Sequence, residues 1–66
     1  MSFEKTFTVY WKDGNREELV GISKMNAFAK AGYGASALLS VDFICEGIDN
    51  NYIWDDENSS WRKQAA

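Results

Sequence analysis

The sequence predicts a single α+β domain over residues 1–66, in which an antiparallel sheet of four or five short strands carries one short helix on one face. Three observations predict it. Residues 3–11 alternate between apolar and polar side chains, Asp13 and Gly14 follow as a turn signal, and a short helical segment lies between Ser23 and Gly32. The predicted order is ββαββ(β), and a helix on one face of the sheet is its economical packing.

The first strand has a clear face assignment. Within residues 3–11, Phe7, Val9 and Trp11 lie on one face, and threonines and Tyr10 lie on the other. Alternation in these residue types is typical of a half-buried strand. The strand resumes after the turn and ends near Gly21.

Two loop lengths are compatible with the turn. A two-residue loop would pair Val20 with Phe7, whereas a three-residue loop with Gly14 in the left-handed conformation would pair Leu19 with Phe7. Because a slip of one residue moves every side chain to the opposite face, the burial or exposure of Leu19 decides between the two loops. We favour the three-residue loop, which would bury Leu19.

The helix is predicted over residues 24–31. Ser23 is its N-cap and Gly32 its left-handed C-terminal residue. A helix of this length is not stable alone, so it must pack on the sheet. The stripe expected to face the sheet consists of Met25, Phe28 and Ala29.

The second half of the chain contains further short elements. Residues 35–39 predict one more helical turn, and residues 40–46 predict a strand with Val41, Phe43 and Cys45 on one face.

The last elements are a fourth strand and an optional fifth. Residues 52–55 predict the fourth strand, a polar loop follows it, and residues 60–63 are the candidate for the fifth. If this strand forms, it sets Trp61 beside Trp54.

Charge is distributed unevenly. Ten acidic and seven basic residues give a net charge of −3, which argues against general affinity for nucleic acid phosphates. No Lys or Arg occurs between Gly32 and Trp61, where all six charged residues are acidic. They are Asp42, Glu46, Asp49, Asp55, Asp56 and Glu57.

The residue types that the sequence contains or lacks exclude or disfavour several classes of protein. The start of the chain has no signal peptide pattern, and no apolar run is longer than that of residues 37–39, which is far too short to span a bilayer. We therefore expect a cytoplasmic protein with no membrane partner. One cysteine excludes an internal disulfide, and the absence of histidine excludes zinc sites of the Cys/His type.

Catalysis is not expected. Without histidine no Ser-His or Cys-His pair can form, and Cys45 on an apolar strand face is expected to be a buried, inert thiol. The adjacent acids at residues 55–57 lie on a predicted loop, where no cleft separates them as acid–base catalysis requires. The acidic segments also fail the calcium-loop pattern. We therefore predict no enzyme, no cofactor and no metal site.

Binding residues are predicted on two grounds. Tyr33 stands between two glycines, so it either folds onto the core or stands exposed as a contact residue. The other candidates are carboxylates of the segment between Gly32 and Trp61, which we call the acidic half. The predicted partner-binding set is Tyr33, Asp42, Glu46, Asp55, Asp56 and Glu57.

The first hairpin also contains a candidate nucleic-acid site. Tyr10, Trp11 and Lys12 beside Arg16 could form a stacking platform for single strands. The acidic balance and the expected burial of Trp11 favour cross-strand packing instead, so we expect no direct nucleic-acid binding.

Three segments carry a resemblance to known proteins. Residues 10–14 (YWKDG), 26–34 (NAFAKAGYG) and 37–43 (ALLSVDF) resemble small proteins encoded by bacteriophages and bacterial mobile elements. The three segments lie within residues 10–43, about half of the chain. It implies a bacterial host cell and a protein small enough to act by binding, and it implies no activity and no site residues.

Two functional hypotheses follow. In the first, the chain is a protein-interaction module, a phage-type or bacterial accessory protein that binds one protein partner. In the alternative, its acidic half imitates nucleic acid and occupies a basic groove on a nucleic-acid-handling protein. A homodimer through an open sheet edge is compatible with both.

Overall fold

The structure, a computed structural model, describes residues 3–64. It contains five strands in two antiparallel sheets, with strand orders β2-β1-β3 and β4-β5, together with one α-helix and one 3-10 helix. The elements are β1 (Lys5–Trp11), β2 (Arg16–Gly21), α1 (Lys24–Lys30), the 3-10 helix (Ala35–Ser40), β3 (Val41–Glu46), β4 (Tyr52–Asp55) and β5 (Ser60–Lys63). The predicted α+β class with antiparallel strands and a short helix is confirmed, whereas the prediction of a single sheet is wrong.

The register of the first hairpin is the one that a three-residue loop requires. Phe7 pairs with Leu19, and Leu19 is only 7% exposed. Gly14 has φ +95°, the left-handed conformation that lets the chain reverse after three residues. The backbone N–H of Trp11 donates to the carbonyl of Asn15 at 2.8 Å and closes the loop.

Both predicted capping residues of α1 are confirmed, and the helix ends at Lys30, one residue earlier than predicted. The hydroxyl of Ser23 accepts a hydrogen bond from the backbone N–H of Asn26 at 3.1 Å. At the other end, the N–H of Gly32 donates to Ala29 and the N–H of Tyr33 donates to Phe28. This is the Schellman pattern, in which a left-handed glycine satisfies the last helix carbonyls.

The buried stripe of α1 differs from the prediction. Ala27 and Phe28 are buried, but Met25 is 62% exposed and Ala29 is also exposed. The reason is the contact with Gly21 on β2: a Cβ atom added there would lie 2.5 Å from the backbone nitrogen of Ala27. This close approach turns the Ala27 side of the helix toward the sheet.

The first face of the three-stranded sheet packs against the helix. Its buried cluster joins side chains from β1, β2 and α1, and Val41 and Ile44 pack at its margin. The cluster consists of Phe7, Val9, Trp11, Leu19, Ala27 and Phe28.

Strand β3 does not keep the alternation that the sequence predicts. Tyr10 pairs with Phe43 but Trp11 pairs with Val41, so Asp42 is an extra residue at a β-bulge. Val41 therefore packs with the first-face cluster, while Phe43 stacks on Tyr10 of the second face. The prediction that both share a face with Cys45 is wrong for Val41.

The second face of β1 is buried as well, in contrast to the predicted half-buried strand. Thr8 and Tyr10 are both 0% exposed. The ring of Tyr10 lies 4.6 Å from that of Phe43, 5.2 Å from Tyr52 and 4.8 Å from Trp61. The second hairpin thus covers this face with its aromatic side chains.

The segment of residues 47–51 explains why the strands form two sheets. Thr8 Oγ1 donates to the carbonyl of Gly47 at 2.7 Å and accepts from the N–H of Asp49 at 3.0 Å. Because of these bonds, the chain crosses the Thr8 and Tyr10 face of the three-stranded sheet after β3 ends. The following hairpin therefore packs on the face of the first sheet instead of pairing with its edge.

We expect Gly21→Ala to lower the free energy of unfolding by about 2–3 kcal/mol, because its methyl group meets helix backbone that cannot move aside cheaply. Gly34→Ala is the matched control, since nothing lies within 4 Å of an added Cβ there and its φ is −86°. Urea denaturation measures both, with Gly34→Ala expected within about 0.5 kcal/mol of the parent. Equal stability of the two variants would contradict the close helix contact.

We expect Tyr10→Phe to destabilise the fold by about 1–2 kcal/mol, because its hydroxyl donates to the carbonyl oxygen and to Oδ1 of Asp49. Tyr52→Phe, which removes the hydroxyl of a half-buried ring in the same cluster, is expected to cost less. Thermal unfolding followed by tryptophan fluorescence compares the two. A larger loss for Tyr52→Phe would contradict the role given to Tyr10.

Candidate functional site

A groove of about 450 Å³ lies beside the first hairpin turn. The turn and the start of β2 form one side, and Tyr33, which follows the helix, forms the other. Its lining residues are Trp11, Asp13, Asn15, Arg16, Glu17 and Tyr33.

The carboxylate of Glu17 is held by two aromatic side chains. Tyr33 donates its hydroxyl to Glu17 Oε1 at 2.6 Å, and the indole Nε1–H of Trp11 donates to the same oxygen at 3.0 Å. Hydrogen bonds to a carboxylate are stronger than neutral ones, so the two donors restrict this side chain to one place in the groove.

Tyr33 is positioned by the helix end. After Gly32 reverses the chain, the Tyr33 ring lies 5.2 Å from the ring of Trp11 and 5.8 Å from that of Phe28. Of the two predicted alternatives, Tyr33 therefore folds onto the core, yet it remains half-buried and lines the groove.

The Glu17 carboxylate changes the acidity of Tyr33. The hydrogen bond to Glu17 is the main cause that raises the pKa of the Tyr33 hydroxyl above its ordinary value of 10.0, and burial adds to it. The hydroxyl is therefore protonated throughout the neutral range and can donate to Glu17 there.

The remaining charged groups of the groove are engaged by local contacts. The carboxylate of Asp13 accepts from the backbone N–H and the side-chain amide of Asn15, both at 3.0 Å. Arg16 donates from Nε to the carbonyl of Asp49 at 2.7 Å and from Nη2 to Glu18 at 3.0 Å. Two carboxylates thus line the groove, and its guanidinium is already paired.

The predicted acidic residues do not come together as one array. Glu46 forms an ion pair with Lys5 at 3.3 Å. Asp42 is exposed at the bulge, between the residues that pair with Tyr10 and Trp11.

Asp49 has a structural role in the residue 47–51 segment. The backbone N–H of Asn51 donates to its Oδ1 at 2.8 Å, and the Tyr10 hydroxyl donates to the same atom. These two bonds, in that order, lower the pKa of the Asp49 carboxyl.

The other three acids lie at the tip of the second hairpin. Asp55 accepts from the side-chain amide of Asn58 at 2.8 Å, the main cause of its lowered pKa, and pairs with Arg62 at 3.4 Å. Asp56 and Glu57 are exposed. A second concave surface of about 470 Å³ lies here, lined by Ile53, Trp54, Asp55, Asp56, Glu57, Asn58 and Arg62.

Cys45 is a free cysteine, and it is half-buried where the sequence predicted a buried thiol. Burial is the main cause that raises the pKa of its thiol, and the neighbouring Asp49 raises it further. A raised thiol pKa disfavours the reactive thiolate.

Sequence reasoning missed the central residue of the groove. Glu17 lies on the same face of β2 as Leu19, which is the core face. A carboxylate in alternation with a core leucine requires donors, and this was the available signal. Its donors come from 6 and 16 residues away, so only the fold brings them to it.

Comparisons with family models, with curated proteins and with solved structures find no match to this chain. Among residues 3–64, no helix is long and apolar enough to cross a membrane. The same residues contain no cluster of three or more side chains suited to a metal ion.

We expect Glu17→Gln to move the pKa of Tyr33 down toward its ordinary value, because the variant removes the negative charge while keeping an acceptor oxygen. Since a raised pKa favours the neutral phenol, the stability that this bond contributes is present below pH 10 and is lost as the pH rises through the pKa of Tyr33. Titration of ¹³Cζ-labelled tyrosines by NMR measures the change.

The internal control for this titration is Tyr10. Burial is the main cause that raises the pKa of Tyr10, so Glu17→Gln should leave that pKa unchanged. An identical Tyr33 titration in parent and variant would show that Glu17 does not control this hydroxyl.

Proposed function

We propose that this protein is a non-enzymatic interaction module of a bacterial or phage setting, which binds one protein partner in the cytoplasm through the groove beside Tyr33. The observation that carries the proposal is the Glu17 carboxylate, held by Trp11 and Tyr33 at the wall of an open groove. A polar group fixed in advance loses little freedom when a partner binds it.

The residue types in the groove also support binding of a protein. Tyrosine, tryptophan and arginine are the types enriched at the energetically dominant positions of protein interfaces, and all three line this groove. The turn that forms one side presents Asp13 and Asn15 at the surface.

The size of the chain is sufficient for such an interface. The surface exposes 4642 Å². A standard interface covers roughly 800 Å² on each partner, so it would take about a sixth of this surface and extend beyond the groove.

The nucleic-acid-mimic alternative has weaker support. Three of its six carboxylates have partners inside the fold: Glu46 pairs with Lys5, and Asp49 and Asp55 accept hydrogen bonds from their own loops. A mimic needs its charges presented together to a basic groove.

Two other features of the chain favour binding over catalysis. The chain has no histidine, and the raised pKa of the Cys45 thiol disfavours its use as a nucleophile.

The experiment is affinity capture from bacterial lysate with the full chain and two matched variants. Asn15→Arg places a long charged side chain at the groove, and Asn58→Arg does so at the tip of the second hairpin. Both asparagines are exposed turn residues that donate to a nearby aspartate, so the two changes are chemically equivalent.

We expect a protein that the parent and Asn58→Arg retain and that Asn15→Arg loses, and the purified pair should form a one-to-one complex by calorimetry. Circular dichroism verifies that both variants are folded. Retention by Asn15→Arg, loss by Asn58→Arg, or no protein enriched at micromolar concentration would each contradict the proposal.

A further inference from the structure

The groove beside Tyr33 has an uncompensated negative charge. Glu17 and Asp13 both line it, and its cation, Arg16, is paired with Glu18. Within residues 3–64, both donors to the Glu17 carboxylate reach Oε1, and Oε2 accepts from neither. A ligand of positive charge therefore meets a carboxylate that retains acceptor capacity.

An aromatic surface lies next to this carboxylate. Tyr33 is half-buried, whereas Trp11 is only 8% exposed and packs against the Tyr33 ring with the two ring centroids 5.2 Å apart. A cation within about 6 Å of a tyrosine ring is attracted by the negative face of the ring. The Tyr33 hydroxyl and the Glu17 carboxylate are joined by the 2.6 Å hydrogen bond. A cation in the groove therefore meets an aromatic ring and a negative charge side by side.

We infer that the groove binds an arginine side chain of the protein partner, with the guanidinium stacked on the Tyr33 ring and donating to Glu17. This inference rests on the proposed function and names the chemistry of its ligand.

Arginine fits this site better than lysine. A guanidinium is planar, so it can stack on a ring and donate in its own plane at the same time. An ammonium is a compact, strongly hydrated charge that would lose more hydration in reaching the ring. Arginine also gives the directional hydrogen bonds that a carboxylate of fixed orientation selects.

The test uses the full chain labelled with ¹⁵N and N-acetyl-arginine amide as the probe, followed by NMR. We expect millimolar binding that shifts the Trp11 indole N–H signal and the backbone signals of residues 13–17 and Tyr33. N-acetyl-citrulline amide has nearly the same shape without the charge, and it should cause no such shifts. N-acetyl-lysine amide should bind more weakly than the arginine probe.

Two variants with the same change of charge locate the binding. Glu17→Gln keeps an acceptor for Trp11 and Tyr33 but removes the charge, and it should weaken the arginine probe about tenfold. Glu57→Gln removes an exposed carboxylate of the second hairpin and should leave the affinity unchanged.

Several results would overturn the inference: no shifts with the arginine probe, equal affinity in Glu17→Gln, equal binding of citrulline, or tighter binding of lysine. Its failure is distinct from that of the proposed function. A partner that Asn15→Arg loses, with no binding of the arginine probe, refutes the inferred ligand and leaves the proposed function standing. Binding of the arginine probe without a groove-dependent partner refutes the proposed function and leaves only the affinity of the groove for arginine.

Discussion

The packing of Tyr10 joins the two sheets, and the remaining architecture depends on it. Its ring is completely buried between Phe43 of the first sheet and Tyr52 and Trp61 of the second. A buried hydroxyl requires a hydrogen-bond partner, and here Asp49 accepts it with both a carbonyl and a carboxylate oxygen. One side chain thus ties the segment before β4 to the central strand.

This junction substitutes for the larger core that a chain of this length cannot build. A small domain buries a limited fraction of its surface, and large rings bury the most area per residue ordered. A second tie reinforces the first, since the indole N–H of Trp61 donates to the carbonyl of Trp11 at 2.8 Å. Both faces of β1 are therefore covered, one by the helix and the other by the second hairpin.

The groove arises from the same hairpin register. Because Phe7 pairs with Leu19, Glu17 lies on the core face near Trp11, and the reversal at Gly32 brings Tyr33 to meet it. The acidic half has a different character from the one its sequence suggests. The carboxylates of Asp49 and Asp55 accept hydrogen bonds within their own loops, so part of the negative charge stabilises the fold.

The sequence by itself determined the helix caps at Ser23 and Gly32 and the fourth strand, and it favoured the three-residue loop at Gly14 over the two-residue one. These depend on backbone conformation and alternation over a few residues. Only the tertiary structure decided the division into two sheets, the bulge at Asp42 and the meeting of Tyr33 with the Glu17 carboxylate. Those features depend on contacts between residues far apart in the chain, and local periodicity contains no information about which distant partner a side chain will meet.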